Sequence, residues 1–138
     1  MNTNNSYKIQ IIDDREITRV PIVTALIKNE FGVISANDGV DGLAMALRDK
    51  PDLILLDITM PNMNGIEMMK KLRESGDYGK KVKIIILTST PIDDETINTI
   101  AKSEPSFYLE KNKNSVLDII QKIKESLGIA SPQDNINI

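Results

Sequence analysis

The sequence predicts an α/β domain built on a doubly wound, five-stranded parallel sheet, a (βα)5 arrangement with helices on both faces. Three observations predict it. Strand-like and helix-like patterns alternate along almost the whole chain. Leu53-Ile54-Leu55-Leu56 and Ile84-Ile85-Ile86-Leu87 are unbroken apolar runs, as expected of strands buried on both faces, which parallel sheets have. The length, 138 residues, is that of about one domain, able to bury about two-thirds of its surface without disulfide or metal staples.

The elements follow in order. Tyr7 to Ile12 alternates apolar and polar residues and reads as the first strand, ending at Asp13-Asp14. A helix is expected from about Glu16 to Glu30, with Ile17, Val20, Val23 and Ile27 as its core stripe. Pro21 lies inside it, where it would kink the helix or sit near its first turn. Val33 to Ala36 is a short strand, and Asp38 is the expected N-cap of the second helix, with Val40, Leu43, Ala44 and Leu47 on one face. Leu53 to Leu56 is the third strand, ending at Asp57. A turn-rich loop follows, and Asn64 with Glu67 resembles a capping box for a helix through about Ser75. Val82 to Leu87 ends at Thr88; a weaker helix is expected from Pro91 to Ser103; Phe107-Tyr108-Leu109 precedes Lys111. Val116, Ile119, Ile120, Ile123 and Leu127 mark the last helix, with Gly128 as its stop.

The domain is expected over residues 7–128, with 1–6 a disordered start and 129–138 a polar tail or the beginning of a linker. The start has no apolar core, so it is no secretory signal, and no apolar run approaches the length of a membrane span. The chain reads as cytoplasmic. It has no Cys and no His, which excludes thiol nucleophiles, thiolate zinc sites, Ser-His-Asp catalysis and His-based metal sites. A net charge of −3 argues weakly against a nucleic-acid groove or an anionic membrane as the main partner.

Right-handed crossovers bring the C-terminal ends of all parallel strands to one edge, where ligands of such sheets bind. Asp13, Asp14, Asp57, Thr88 and Lys111 all fall there. Taken singly, each has an ordinary explanation: a helix cap, a turn starter, a strand-end hydroxyl, a solvated lysine. Taken together, three carboxylates, a hydroxyl and an amine on one edge indicate a site. Two carboxylates about 4 Å apart repel by about 4 kcal/mol at an effective dielectric near 20, so a cation is expected among them. With no His or Cys, Mg2+ suits best. A metal beside an exposed carboxylate is equipment for phosphoryl transfer onto that carboxylate.

The segments Ile11-Ile12-Asp13-Asp14, Asp57-Ile58-Thr59-Met60-Pro61-Asn62-Met63-Asn64-Gly65, Leu87-Thr88-Ser89 and Tyr108-Leu109-Glu110-Lys111 resemble the motifs of response-regulator receiver domains of two-component signalling, over about Tyr7 to Leu127. The resemblance implies a flavodoxin-like sheet of order 2-1-3-4-5. It implies Asp57 as phosphoacceptor, served by the phosphohistidine of a sensor histidine kinase or phosphotransfer protein. Asp14, Asp57 and the Thr59 carbonyl would bind Mg2+ directly, and Asp13 through metal-bound water. Lys111 would pair with the acceptor carboxylate and later with the phosphoryl group. Thr88 and Tyr108 would be the switch pair, read out on the helix over 91–103, the fifth strand and the last helix. Arg19 falls where the family often has a basic residue, with no chemistry assigned to it.

The resemblance further implies a phosphoacceptor signalling domain rather than an enzyme with turnover, acting on a downstream protein or a covalently linked output domain, as a monomer or a phosphorylation-dependent dimer. No DNA-binding helix pair is legible in these residues, so this chain alone is not expected to bind nucleic acid, and no membrane insertion is expected. Departures are Asn112 after Lys111, where the family usually has a cis proline; Glu104-Pro105 before the fifth strand; and Thr59 and Thr90 at the two positions that tune acyl-phosphate lifetime. Two rivals remain: an aspartyl-phosphate hydrolase or phosphomutase, for which the chain has no cap and carries its candidate nucleophile after the wrong strand, and a docking module that needs no phosphorylation, against which the intact constellation argues.

Overall fold

The structure, a computed structural model, describes residues 7–89 and 92–129. The expected N-terminal start, most of the polar tail, and Thr90 and Pro91 lie outside the described residues. Five strands, β1 (Lys8–Ile12), β2 (Gly32–Ala36), β3 (Leu53–Leu56), β4 (Lys83–Thr88) and β5 (Phe107–Glu110), form one parallel sheet of order β2-β1-β3-β4-β5. Six helices accompany them among the described residues: α1 (Glu16–Lys28), α2 (Gly39–Asp49), α3 (Gly65–Arg73), α4 (Asp77–Lys81), α5 (Asp94–Ala101) and α6 (Val116–Leu127).

The core has two layers, one on each sheet face. Ile12, Ile54, Leu56, Ile84 and Ile86 meet Ala46 of α2, Met68, Met69 and Leu72 of α3, and Ile100 of α5. Ile9, Ile11, Leu53, Leu55, Ile85 and Leu87 meet Ile22 and Leu26 of α1 and Ile119, Ile120 and Ile123 of α6. Central strands are therefore buried on both sides, as their apolar runs required. β1 is no exception: its alternation does not mark an exposed face, because Gln10 is fully buried and donates to the Gly42 carbonyl at 3.0 Å.

The last helix is as expected, with a reciprocal capping box between Ser115 and Asp118 and Gly128 in the left-handed region at its end. Asn64 caps α3 through the Glu67 amide, and Asp38 caps α2. The phases of α1 and α2 differ from expectation. Ile17 and Ile27 are 85% and 60% exposed, Val20 is exposed as well, and the buried positions of α1 are Ile22 and Leu26. Apolar residues surround α1, so periodicity alone does not say which side faces the sheet. On α2 the buried positions are Gly39, Gly42 and Ala46, while Val40, Ala44 and Leu47 are exposed. A Cβ on Gly42 would lie 2.6 Å from Ile12 Cδ1; small residues let the helix approach, so its core face is not its most apolar one. Pro21 leaves α1 unbroken and lies on its exposed side.

α3 ends at Arg73, and α4 is an additional short helix that the sequence pattern did not predict. The weaker helix is α5, two to three residues shorter at each end than expected, with Asp93 as its cap and only Ile100 buried. No peptide bond among the described residues is cis, and Lys111–Lys113 form a short 3-10 turn. Glu104 has φ +53°, a left-handed conformation unusual for a residue other than glycine.

Candidate functional site

The sheet's register places the site. Ile12 pairs with Leu56, Leu56 with Ile86, and Ile86 with Tyr108. The residues just beyond therefore lie side by side at one edge. Asp13 and Asp57 continue the ladder through their amides, Asp13 N–H to the Ala36 carbonyl at 3.1 Å and Asp57 N–H to the Ile12 carbonyl at 2.9 Å. Behind Asp57 the loop folds back closely. The Gly65 amide donates to the Ile58 carbonyl at 2.8 Å, and a Cβ on Gly65 would lie 2.2 Å from the Asp57 carbonyl oxygen. Only a glycine allows α3 to start there.

Asp13, Asp14 and Asp57 offer carboxylate oxygens that all lie within 4.8 Å of one another. Asp13 and Asp57 are buried and Asp14 is exposed. Lys111 Nζ lies 2.8 Å from Asp13 Oδ2 and 3.8 Å from Asp57 Oδ2. The amine therefore bridges both acids, closer to Asp13, whereas the resemblance implies the acceptor as its partner. The other oxygen of Asp13 accepts the Arg15 amide at 2.9 Å, which turns Oδ2 toward Lys111. Among the described residues, Asp57 Oδ1 accepts one long bond, 3.4 Å, from the Thr59 amide.

Burial, then the neighbouring Asp13 charge, push the Asp57 carboxyl up to about 6; Lys111 and the Thr59 amide oppose them and Asp14 adds to them. This is the expected response of a buried carboxyl with like charges beside it, only partly offset by one amine. Thr88 is buried at the end of β4. Tyr108 is half-buried on β5, packed against the layer that holds Ile86 and Ile100, with its hydroxyl buried and unpartnered among the described residues. The structure thus brings Asp13, Asp14, Asp57 and Lys111 together at one edge and places Thr88 at the end of β4, whereas Tyr108 lies inside β5, opposite Ile86. Arg19, to which the sequence assigns no chemistry, donates through Nη1 to the Asp13 carbonyl at 2.7 Å; its place one turn into the helix after Asp13-Asp14 is the feature of the sequence that marks it.

The family model for the response regulator receiver domain matches residues 9–124. This chain is a response-regulator receiver domain. It is 36% identical over 129 residues to the response regulator MprA of Mycobacterium bovis strain BCG, covering 94% of this chain and 54% of that protein. The receiver thus spans about half the length of the curated relatives it matches. Among solved structures it resembles a CheY-like receiver domain protein of Methanospirillum hungatei, with a TM-score of 0.81 and 25% identity, covering 88% of this chain and 94% of that one. It also shares its fold with the receiver domain of a Pseudomonas aeruginosa sensor histidine kinase, solved with a magnesium ion in its active-site cleft, at a TM-score of 0.78 and 21% identity, covering 88% and 98%.

The acidic edge of this receiver has the donor chemistry of a site for a hard divalent cation. Its donors are oxygens alone, from carboxylates close enough to share a cation, and their mutual repulsion is what a divalent ion relieves. No helix among the described residues is long and apolar enough to cross a membrane.

Proposed function

We propose that Asp57 is the phosphoacceptor of this receiver, taking a phosphoryl group from a phosphohistidine on a sensor histidine kinase or phosphotransfer protein. One observation carries the reading: a carboxylate with one weakly engaged oxygen lies between an acidic pair and a lysine amine, on the edge where the buried Thr88 hydroxyl also stands. An Asp57 oxygen attacks phosphorus, the P–N bond to the donor imidazole breaks, and the imidazole nitrogen leaves with that electron pair and takes a proton. Mg2+, held by Asp14, Asp57 and the Thr59 carbonyl, would supply neutralisation of the charge on the transferring group.

The protein's own groups do the rest. Lys111, already 3.8 Å from Asp57, meets a phosphoryl oxygen and in doing so loosens its hold on Asp13. Thr88 donates to another phosphoryl oxygen. Tyr108, three residues before Lys111 with a hydroxyl that has no partner to lose among the described residues, follows Thr88 and alters the surface formed by α5, β5 and α6. The thin core contact of α5, Ile100 alone, makes it the element that shifts most easily. The exposed apolar side chains Ile17, Val20 and Ile27 on α1, which begins three residues after Asp13, support a protein rather than a small metabolite as donor.

The test is incubation with acetyl phosphate and Mg2+, read by intact-mass spectrometry. A single phosphorylation is expected, prevented when EDTA is present from the start and absent in Asp57→Asn. Persistent single phosphorylation of Asp57→Asn would overturn the assignment.

A further inference from the structure

Arg19 is a charged side chain at this edge that neither the acceptor chemistry nor the switch uses. Its side chain is only 12% exposed, and its contact with Glu16 is long, 3.8 Å to a carboxylate that is itself 83% exposed. Its short bond is the one from Nη1 to the Asp13 carbonyl, 2.7 Å, a length typical of charge-assisted bonds. That carbonyl belongs to the peptide unit whose other half is the nitrogen and Cα of Asp14, and a peptide unit is planar. Holding the Asp13 oxygen therefore sets the direction in which the chain enters Asp14. Asp13 is fixed on its other side by the β2 carbonyl of Ala36 and through its side chain by the Arg15 amide and Lys111. With Asp13 held at each of these points, Asp14 is the member of the pair left exposed.

We propose that Arg19 is a positioning residue of this site: by bonding the Asp13 carbonyl it orients the Asp13–Asp14 peptide so that Asp13 holds Lys111 and Asp14 faces the metal. The inference rests on Asp14 and Asp57 being the Mg2+ ligands. It makes a prediction opposite in sign to a purely electrostatic role. A guanidinium near three carboxylates repels a divalent cation, so removing its charge alone tightens Mg2+ binding. Removing an orienting bond weakens it, as loss of outer-shell partners does.

The experiment is Mg2+ titration of the full 138-residue chain by calorimetry, with Arg19→Met, Arg19→Lys and, as a control, Glu16→Gln; unfolding in EDTA is followed in parallel. Arg19→Met is expected to weaken Mg2+ binding about tenfold, the lower end of what outer-shell losses cost. Arg19→Lys, which keeps a donor, recovers most of it, and Glu16→Gln matches the parent. Unchanged or tighter binding by Arg19→Met overturns the proposal. If Arg19→Met does not fold, Arg19→Gln, too short to reach the carbonyl, is read by the same criterion. Should the parent chain bind no Mg2+ at millimolar concentration, the metal reading fails and takes this inference with it, an outcome distinct from failure of Arg19 alone.

Discussion

The two edges of the sheet carry buried charge in opposite ways. At the C-terminal edge, Asp13 and Asp57 share one lysine at 2.8 and 3.8 Å, and the Asp57 carboxyl is pushed up to about 6. At the N-terminal edge, Arg73 donates to four backbone carbonyls: Gly79 at 2.8 Å, Val82 at 2.7 Å, Ser103 at 2.8 Å and Glu104 at 3.0 Å. These lie in and just after α4 and in the turn that follows α5, where helix ends leave carbonyls without partners. One guanidinium thus ties α3, α4, the entry to β4 and the left-handed turn at Glu104 together. The lesson is that proximity of charges does not measure stabilisation: the arginine meets only acceptors and is satisfied, whereas the acids meet each other and one shared amine leaves their repulsion only partly relieved.

The largest expected effect tests the satisfied edge. Arg73→Met should destabilise the protein by about 3 kcal/mol, because several buried or half-buried carbonyls lose a charged donor at once. Urea unfolding measures it, and a loss below about 1 kcal/mol would mean that water serves those carbonyls equally well and that the two edges differ little in how they hold charge.

A smaller effect of opposite sign is expected at the acidic edge. The folded pKa of Asp57, about 6, is above its ordinary 3.8. The folded state therefore binds the proton more tightly than the unfolded chain does. Stability that protonated Asp57 contributes is fully present below about 3.8 and is lost as pH rises through about 6. Asp57→Asn removes that loss. In EDTA it should be more stable than the parent by about 1–2 kcal/mol at pH 7.5, after allowance for solvent screening at the pocket mouth, with the difference vanishing near pH 4. Equal stability of the two proteins at pH 7.5 would show that Lys111 already balances the acids.

The smallest expected effect lies beside that edge, on α1. Ile17→Ser should change stability by less than about 0.5 kcal/mol, since the side chain is already in water. It should nonetheless slow phosphotransfer from a phosphohistidine protein while leaving the rate with acetyl phosphate unchanged. Comparing the two donors with one variant separates docking from chemistry; equal slowing with both would place Ile17 in the chemistry or in the fold.

Much of this was legible in the chain itself. The alternation of elements, the buried central strands and the arrival of Asp13, Asp57, Thr88 and Lys111 at one edge follow from local pattern and from the handedness of βα crossovers, which leaves few topologies to choose from. α6 was legible to its caps because its apolar residues occupy one side only and its end residues are specific capping types. The tertiary structure decided what depends on the shape of a neighbour. It chose the buried side of α1, which is apolar around its circumference, and it buried the glycines of α2, whose value is closeness rather than hydrophobicity. It buried Gln10 because β1 is covered on both faces. It also gave Lys111 to Asp13 more closely than to Asp57, and gave Arg19 and Arg73 their carbonyls. A side chain's hydrogen-bond partners across tens of residues are set by where whole elements come to rest, and residue spacing along the chain holds no record of that.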